Sequence, residues 1–316
     1  MKYSVVTTVY NDSNNIVRFL DEIVLQNSLP QEIIIADGGS NDDTVEIIKK
    51  YAVNSKVPIK ILSGERLNIS EGFNVAIKSA TSKVVAITAV GNHYPSNFFE
   101  KLADELKKEQ SLDAAYSIIK GYDDTIFSKL YNRTFIGKGM IMGYPSNHGV
   151  LIKKQVVEEL GFFYEKFNYA GEDYELFQHF LEKGKKAKCV LDTELQWETP
   201  KTFKEYCKQT KVYLVGRMQC CNNKLLLKML SKNIIYVVIF LLAIMAFLFD
   251  KTRIISYILW IIVFLFNIKG IIQSGLKGML LKNSKIFLEV YYSFKERKYF
   301  LEKNKIVFER RVLKNY

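Results

Sequence analysis

The chain has 316 residues, a hydrophobic content of 48% and a formal net charge of +12. This length accommodates one large domain with an appendage. The positive charge belongs to residues 201–316, which contain 22 Lys and Arg residues and only 6 Asp and Glu residues. Because these lysines flank apolar segments and no nucleic-acid motif occurs, they favour anionic membrane lipids over nucleic acid as a partner. The four cysteines show no metal-ligand spacing, which fits a reducing cytoplasmic location.

The first 200 residues alternate strand-like and helix-like patterns. Runs of β-branched residues predict strands, and apolar residues at helical spacing predict helices. The predicted strands are 3–9, 33–36, 59–62, 84–88, 114–119, 150–152 and 187–191, and helices are predicted after residue 12 and over 43–51, 70–80, 95–108, 154–160 and 173–183. This alternation is typical of a mostly parallel, Rossmann-like α/β sheet flanked by helices. The strand pattern begins at Tyr3, so no signal peptide is predicted.

Residues 32–44 contain the most informative local pattern. An apolar strand ends at Asp37, two glycines allow a sharp turn, and polar residues that can cap a helix follow. In open α/β sheets such a turn borders the ligand crevice, and an acid there can accept hydrogen bonds from a nucleotide. The alternative is an ordinary Asp-Gly-Gly-Ser turn that binds no ligand.

Two apolar runs, Ile234–Phe249 and Ile254–Phe266, lie in the C-terminal third of the chain. Flanking residues extend each run towards the roughly 20 residues that cross a bilayer, so we predict a transmembrane hairpin. A buried helical hairpin in a soluble core is the alternative. Lysines flank both outer ends of the hairpin. The positive-inside rule therefore predicts a multi-pass protein of the cell membrane, with the N-terminal domain and both termini in the cytoplasm.

Several motifs occur in the order that a known family shows, over about residues 1–215. Residues 5–11 (Val-Val-Thr-Thr-Val-Tyr-Asn) resemble its first strand and turn, and 37–44 resemble its nucleotide-holding loop. Residues 74–76 lie where the family has an Ala-Arg-Asn-x-Gly-like helix, although a phenylalanine replaces the usual arginine. Residues 161–163 and 171–174 (Gly-Phe-Phe and Gly-Glu-Asp-Tyr) resemble its acceptor-side motif. The chain thus resembles the family-2 glycosyltransferases, which have the GT-A fold.

The resemblance implies a nucleotide-sugar donor, such as a UDP-, GDP- or dTDP-sugar, and an inverting transfer by single displacement. The donor-binding residues that it implies are Thr7, Val9, Tyr10, Asn11, Asp37, Gly39, Ser40 and Asn74. Asp173 aligns with the family's base, which removes a proton from the acceptor hydroxyl, and Glu172 is the next candidate. A structural alternative is that these carboxylates cap the helix that begins there.

The sequence departs from the family at the metal motif. The family's Asp-x-Asp holds a divalent ion on the donor phosphates, but this chain has Ala89-Val90-Gly91. Mg²⁺ or Mn²⁺ would therefore lack its usual ligands. Asn92 and His93 are the nearest polar candidates, and Glu198 is a later one. For His93, a surface or packing role is the alternative.

Basic side chains can also neutralise a leaving diphosphate without a metal. Arg66, Lys138 and Arg217 are candidates, although a basic residue beside a membrane segment, such as Arg217, also suits lipid binding. His148 precedes a strand at the predicted acceptor cleft and is a candidate contact for the acceptor sugar or a phosphate. A structural turn is its alternative role.

These patterns predict one function and leave one alternative. The predicted function is transfer of a single sugar to a lipid-linked or oligosaccharide acceptor at the cytoplasmic membrane face, in cell-envelope polysaccharide synthesis. The alternative is a degenerate GT-A protein that binds a nucleotide sugar or scaffolds a partner at the membrane. The predicted division is a GT-A glycosyltransferase domain over 1–200, basic amphipathic helices over 201–232, the hairpin over 233–272 and a basic helical tail over 273–316.

Overall fold

The computed structural model divides into two compact units, each described here by itself. It describes residues 1–64, 66–123, 125–128, 145–167, 170–220 and 223–299. Of these, the first unit contains 1–64, 66–123, 145–167 and 172–199, and the second contains 125–128, 170–171, 200–220 and 223–299. The end of the predicted basic tail, 300–316, lies outside the described residues. The predicted domain boundaries stay predictions.

The first unit is built on a mixed sheet. Its strands are β1 (Ser4–Val9), β2 (Glu32–Asp37), β3 (Ile59–Leu62), β4 (Val84–Thr88), β5 (Asn92–His93), β6 (Ala114–Gly121), β7 (Gly149–Lys153) and β8 (Ala187–Trp197). They lie in the order β3-β2-β1-β4-β7-β6-β8-β5. The pairs β1–β2, β1–β4, β2–β3 and β6–β8 are parallel, whereas β7 runs antiparallel to both neighbours. The predicted α/β fold with a mostly parallel sheet is confirmed.

Helices follow the strands as the alternating pattern predicted. In the first unit they are α1 (Ile16–Val24), α2 (Thr44–Val53), α3 (Ile69–Ser79), α4 (Phe98–Lys108), α5 (Lys154–Glu159) and α6 (Glu172–Glu182). Ile16, Phe19, Leu20 and Ile23 are the buried residues of α1, at the spacing of one helix face. Such a face packs on the core and leaves the opposite side of α1 polar.

The central strands carry continuous apolar runs because both of their faces are covered. Val5–Val6 in β1, Ile33–Ile35 in β2 and Val85–Ile87 in β4 are fully buried. Parallel strands between two helical layers typically show such runs. Each buried Val or Ile side chain contributes about 1.5–3 kcal/mol, so these strands form the rigid base of the first unit.

Helix α3 approaches β1 closely because a glycine faces the strand. A Cβ atom at Gly72 would lie 2.4 Å from Thr8 Oγ1 and 2.9 Å from Thr8 Cβ. Any larger residue therefore has to push α3 away from the end of β1. This close packing fixes α3 beside the loop that follows β1.

The second unit is helical. Its helices are α7 (Phe203–Cys220), α8 (Asn223–Phe247), a 3₁₀ turn (Asp250–Thr252) and α9 (Arg253–Lys295). Gly275, with a φ of 66°, interrupts α9. The predicted basic tail therefore begins as a continuation of the second apolar helix, broken once by this glycine.

Two segments of this unit, Leu226–Phe247 and Asp250–Ile268, are long and apolar enough to cross a membrane, by length and composition. Their large apolar side chains are mostly exposed. The polar groups between them are satisfied internally, since Ser256 Oγ donates to Ala243 O (2.7 Å) and Asn267 Nδ2 donates to Tyr236 Oη (2.9 Å). An apolar exterior with paired internal polar groups fits the predicted hairpin in lipid.

We expect Gly72→Ala to lower the free energy of unfolding by about 1–3 kcal/mol, because the added methyl group overpacks against Thr8. Urea unfolding of the detergent-solubilised full chain, followed by circular dichroism, measures this loss. Gly91→Ala is the matched control, since nothing lies within 4 Å of a Cβ there. Equal midpoints for the two variants would contradict the close approach of α3 to β1.

Candidate functional site

The loops that carry most of the predicted site residues meet at one edge of the sheet. Val9 at the end of β1 pairs with Asp37 at the end of β2, and Thr88 at the end of β4 pairs with Gly149 at the start of β7. The loops after β1, β2 and β4 therefore emerge beside the loop before β7. We call this region, residues 9–13, 37–43, 89–94 and 145–148, the carboxyl edge. It is where open α/β sheets bind ligands.

The predicted turn after β2 is organised by its own acid. Asp37 is buried, and its carboxylate accepts hydrogen bonds from the N–H groups of Gly39 (3.2 Å) and Ser40 (3.1 Å). Gly39 has a φ of 87°, a conformation that favours glycine. A carboxylate has about four lone-pair sites, so Asp37 keeps acceptor capacity for a ribose or base.

The loop after β1 is tied to the Asp37 loop. The Asn11 N–H donates to Ser40 Oγ (2.9 Å), and Asn11 Oδ1 accepts from the Asn41 N–H (2.9 Å). Tyr10 lies beside them and is 56% exposed. Six of the predicted donor residues, namely Val9, Tyr10, Asn11, Asp37, Gly39 and Ser40, thus share the carboxyl edge. Their contact with a donor stays a prediction.

The other two predicted donor residues are engaged within the fold. Thr7 is fully buried, and its Oγ1 donates to Thr88 O (3.1 Å). Asn74 in α3 is also buried, and its amide makes two hydrogen bonds to the backbone of Phe163. Nδ2 donates to the carbonyl oxygen (2.8 Å), and Oδ1 accepts from the N–H (2.9 Å). Asn74 therefore clamps the segment that follows α5. A donor contact by either residue stays a prediction.

The predicted base lies at the start of α6, and Asn147 connects it to the carboxyl edge. The Asn147 side chain donates to Glu172 Oε1 (3.0 Å), and its backbone N–H is close enough to the Asp173 carboxylate to lower the pKa of that group. Asp173 Oδ1 also accepts from the Tyr174 N–H (2.7 Å). One residue thus positions both carboxylates. Sequence patterns did not predict Asn147, because its partners lie 25 and 26 residues away and only the fold brings them together.

The surroundings of Asp173 suit a proton acceptor. Burial raises the pKa of Asp173, while the backbone hydrogen bonds from Tyr174 and Asn147 oppose that rise. A carboxylate whose conjugate acid is weaker takes up a proton more readily. The role of Asp173 as a base stays a prediction, with helix capping as the alternative.

A guanidinium group holds the loop in which the family's metal-binding acids are missing. Arg18 in α1 donates from Nη2 to Val90 O (2.7 Å) and from Nη1 to Asn92 O (2.9 Å). Its charge is balanced by Glu22, 3.1 Å from Nη1, and by Glu198, 3.7 Å from Nη2. Sequence patterns did not predict Arg18, since its position on α1 indicates only a polar face.

His93 completes this group, which we call the Arg18 cluster: Arg18, Glu22, His93 and Glu198. His93 Nδ1 lies 3.1 Å from Glu22 Oε1, and Nε2 lies 3.2 Å from Glu198 Oε1. The ring stacks on Tyr122 with 3.6 Å between ring centroids. The predicted candidates His93 and Glu198 are therefore brought together, but as partners of each other and of Arg18.

The donor set at this loop does not fit a divalent metal ion. Ala89, Val90 and Gly91 offer no side-chain oxygen, and the amide of Asn92 is fully buried and engaged with His148. The Arg18 guanidinium contacts both carboxylates that flank His93, and its positive charge repels a cation. In the part of the chain that the structure describes, no three His, Cys, Asp or Glu side chains are grouped to hold a metal.

His148 is held in one neutral tautomer. Asn92 Nδ2 donates to His148 O (2.9 Å), so Asn92 Oδ1, 3.0 Å from His148 Nδ1, accepts the proton on that nitrogen. Burial lowers the pKa of His148 to about 4, which keeps the ring neutral near pH 7. The Nε2 lone pair is then an acceptor. This tautomer favours a sugar hydroxyl over a phosphate as the predicted partner.

The predicted phosphate-neutralising residues lie in different parts of the chain. Arg66 is exposed in the loop before α3 of the first unit. Arg217 belongs to α7 of the second unit, where its Nη2 lies 2.6 Å from Glu289 Oε1. Lys138 lies outside the described residues.

Comparisons with known proteins agree on one family. The model described as Glycosyl transferase family 2 matches residues 4–171, and the model described as Glycosyl transferase family group 2 matches residues 93–272. A solved structure of S. aureus TarS 1-349 in complex with UDP-GlcNAc is similar to this chain, with a TM-score of 0.53 and 16% identity over 71% of this chain and 68% of that chain. The mannosyltransferase PcManGT from Pyrobaculum calidifontis, in complex with GDP-Man and Mn2+, has a TM-score of 0.56 and 16% identity over 89% and 86%. Both show a shared fold.

A curated relative from Methanococcus voltae is 27% identical over 229 residues, which are 66% of this chain and 71% of the relative. Its name is dolichyl N-acetyl-alpha-D-glucosaminyl phosphate 3-beta-D-2,3-diacetamido-2,3-dideoxy-beta-D-glucuronosyltransferase. Seven further curated relatives are glycosyltransferases or polysaccharide synthases, and the chain spans about half of their length or less.

We expect Arg18→Met to lower the free energy of unfolding by about 1–3 kcal/mol, because it removes the guanidinium donor from two backbone carbonyls and the positive charge beside Glu22 and Glu198. Urea unfolding of the full chain measures this loss. Lys50→Met is the control, since Lys50 also pairs with a glutamate one turn away but is fully solvated. A loss no larger than that of the control would show that the Arg18 cluster does not hold the loop.

Proposed function

The chain belongs to glycosyl transferase family 2, and on that premise we propose that it transfers a sugar from a nucleotide-sugar donor to an acceptor hydroxyl with inversion. The observation that carries this proposal is the convergence at the carboxyl edge of the Asp37 loop and of Asp173, which Asn147 anchors there. The first supplies acceptors for a nucleoside, and the second supplies a base.

The donor in this proposal is a UDP-, GDP- or dTDP-sugar. Support comes from the solved relatives, whose descriptions include UDP-GlcNAc for TarS and GDP-Man for PcManGT. Asp37 accepts hydrogen bonds from the ribose or base. The hydrogen bond between Asn11 and Ser40 holds the loop after β1 against the loop after β2. Arg66, exposed before α3, is available to the diphosphate end.

The reaction proceeds in one displacement. Asp173 takes the proton of the acceptor hydroxyl, and the hydroxyl oxygen forms a bond to the anomeric carbon. The bond from that carbon to the diphosphate breaks, and its electron pair leaves with the nucleoside diphosphate. Because the nucleophile enters opposite the leaving group, the anomeric configuration inverts. The neutral His148 accepts a hydrogen bond from a sugar hydroxyl through Nε2 and so orients that sugar.

The acceptor in this proposal is a lipid-linked saccharide at the cytoplasmic face of the cell membrane. Two segments of the second unit have the length and composition of membrane spans, and lysines flank them. The name of the relative from M. voltae includes dolichyl N-acetyl-alpha-D-glucosaminyl phosphate, a lipid-linked sugar. A chain that is held at the bilayer meets lipid-linked acceptors at a high effective concentration. A lipid-linked acceptor also fits a role in envelope polysaccharide synthesis.

One observation favours a second candidate, a GT-A protein that binds a nucleotide sugar or scaffolds a partner without catalysis. The loop 89–91 has no acids, and the Arg18 cluster occupies its surroundings with paired charges. Measurements of donor binding and of turnover separate the two candidates, because only the first requires Asp173.

We expect Asp173→Asn to reduce kcat by at least about 10²-fold while donor affinity changes less than about threefold, because the amide cannot accept the proton. Transfer from a panel of UDP-, GDP- and dTDP-sugars to a lipid-linked acceptor mixture provides the rate, and Asp192→Asn, a solvated acid, is the control. In the unmodified chain kcat/KM should fall as the pH drops and Asp173 is protonated, at a pH above the usual range of aspartate, because burial raises its pKa. Unchanged turnover in Asp173→Asn removes it as the base.

We expect nucleoside diphosphate binding to persist when divalent ions are chelated, because the loop 89–94 offers no metal site. Calorimetric titration of UDP, GDP and dTDP in Mg²⁺, in Mn²⁺ and in EDTA gives the affinities. Asp37→Asn should weaken binding by about tenfold, since one charge-assisted hydrogen bond is lost. An affinity that collapses in EDTA would show that a metal binds with the diphosphate.

A further inference from the structure

A buried group of hydrogen bonds holds the loop before β7. The Tyr94 hydroxyl donates to His148 O, and Asn92 Nδ2 donates both to His148 O (2.9 Å) and to Tyr94 Oη (3.2 Å). The hydroxyl oxygen also accepts from the Ala89 N–H (3.2 Å). Tyr94 is 4% exposed and Asn92 is fully buried. These polar groups therefore satisfy one another away from water.

The Tyr94 hydroxyl has one proton and two carbonyl oxygens within reach. His148 O is the nearer acceptor, because Ala89 O lies 3.4 Å from the hydroxyl oxygen. Asn92 contacts His148 a second time, since Asn92 Oδ1 lies 3.0 Å from His148 Nδ1. Tyr94 and Asn92 thus hold both the backbone and the ring of His148. A fully satisfied network of this kind makes the segment that it contacts rigid.

Asn147 precedes His148 in the chain and carries this constraint to α6. Its Nδ2 donates to Glu172 Oε1 (3.0 Å), and Glu172 is the first residue of α6 and is 5% exposed. Asp173, the proposed base, follows Glu172 directly. A series of direct contacts therefore leads from Tyr94 through His148 and Asn147 to the start of α6.

The ring of Tyr94 packs independently of its hydroxyl group. Its centroid lies 5.2 Å from that of Phe98 and 5.5 Å from that of Phe99. Tyrosine and phenylalanine differ only by the hydroxyl group. Tyr94→Phe therefore removes the contact with His148 O and keeps the aromatic packing.

We propose that Tyr94 is a positioning residue, which holds His148 and Asn147 so that Asp173 can take the proton of an acceptor hydroxyl. Tyr94 itself contacts neither donor nor acceptor, and it acts through Asn147. A general base must lie within hydrogen-bond reach of the proton that it removes, so a displacement of about 1 Å reduces the rate strongly. This inference rests on the proposed function, because it concerns the alignment of the proposed base.

The test compares Tyr94→Phe with Tyr3→Phe in the full chain. Tyr3 is also buried, its hydroxyl also donates to a backbone carbonyl, that of Ser28, and its ring lies 5.5 Å from the ring of Phe99. Tyr3 precedes β1, whereas the carboxyl edge begins where β1 ends. Both variants lose one buried hydrogen bond of the same kind, but only Tyr94→Phe changes the support of His148.

We expect Tyr94→Phe to lower kcat by about tenfold, while the donor affinity measured by calorimetry stays within about threefold. Tyr3→Phe should keep kcat within about twofold of the unmodified chain. Both variants should lower the unfolding midpoint by about 2–4 °C, since each loses one buried hydrogen bond. A purely structural role of Tyr94 would leave the kcat values of the two variants equal, and that result would overturn the proposal.

A double-variant cycle tests the route through Asn147. Asn147→Ala alone should lower kcat by about tenfold or more, because Glu172 loses its donor. Adding Tyr94→Phe should slow this variant by less than about twofold further, since both changes break the same series of contacts. Effects that multiply in full would show that Tyr94 does not act through Asn147.

Hydrogen–deuterium exchange gives a result that needs no turnover. We expect Tyr94→Phe to raise amide exchange in residues 145–150 and 172–178 by about threefold or more relative to Tyr3→Phe, because both segments lose their support. Equal exchange in the two variants would overturn the proposal. If the unmodified chain transfers no sugar while the exchange difference is present, the proposed function fails and the positioning of this segment by Tyr94 stands.

Discussion

Antiparallel pairing of β7 with β4 determines where the candidate site forms. The register sets Thr88 opposite Gly149, so the loop before β7 emerges beside the loop after β4. Gly149 makes this possible, since a Cβ there would lie 2.8 Å from Leu195 Cδ2 and 3.0 Å from Phe98 Cζ. A slip of one residue would turn the side chains of β7 to the opposite face of the sheet. Asn147 would then lose Glu172 and Asp173, and the carboxyl edge would keep a nucleotide-type loop without a base.

The parts of the fold that sequence predicts are those that depend on near neighbours. Strand and helix patterns depend on residues that are close together in the sequence. The turn that Asp37 organises through Gly39 and Ser40 is equally local, so the sequence alone predicts all of these features. Asn147 and Arg18 escaped prediction because most of their partners lie far away in the chain: Glu172 is 25 residues from Asn147, and Glu198 is 180 residues from Arg18. A resemblance to a family can assign a residue with distant partners to a motif, but it does not identify those partners. It made such an assignment for Asn74, whose donor contact stays a prediction and whose amide also binds the backbone of Phe163, 89 residues away.

The loop at residues 89–91 lacks the family's metal-binding acids, and other charged groups hold it in place. Two carboxylates that hold a divalent ion depend on that ion to remain close together. Here Arg18 supplies a permanent cation, and Glu22 and Glu198 neutralise it within hydrogen-bond or ion-pair distance. The same guanidinium group donates to the carbonyls of Val90 and Asn92. The side chains at 89–91 are Ala, Val and Gly and have no hydrogen-bond donors. Side chains of the chain itself therefore hold this loop.

Each unit pairs a guanidinium group with carboxylate oxygens. Arg18 contacts two backbone carbonyls and lies within ion-pair distance of Glu22 and Glu198, so few of its N–H groups are left for a phosphate. In the second unit, Arg217 pairs with one oxygen of the buried Glu289, and Asn233 donates to the other. Removing a charge from water is unfavourable, and in both places the fold compensates that cost with an opposite charge. These guanidinium groups therefore have a structural role first, because their partners are supplied by the chain itself.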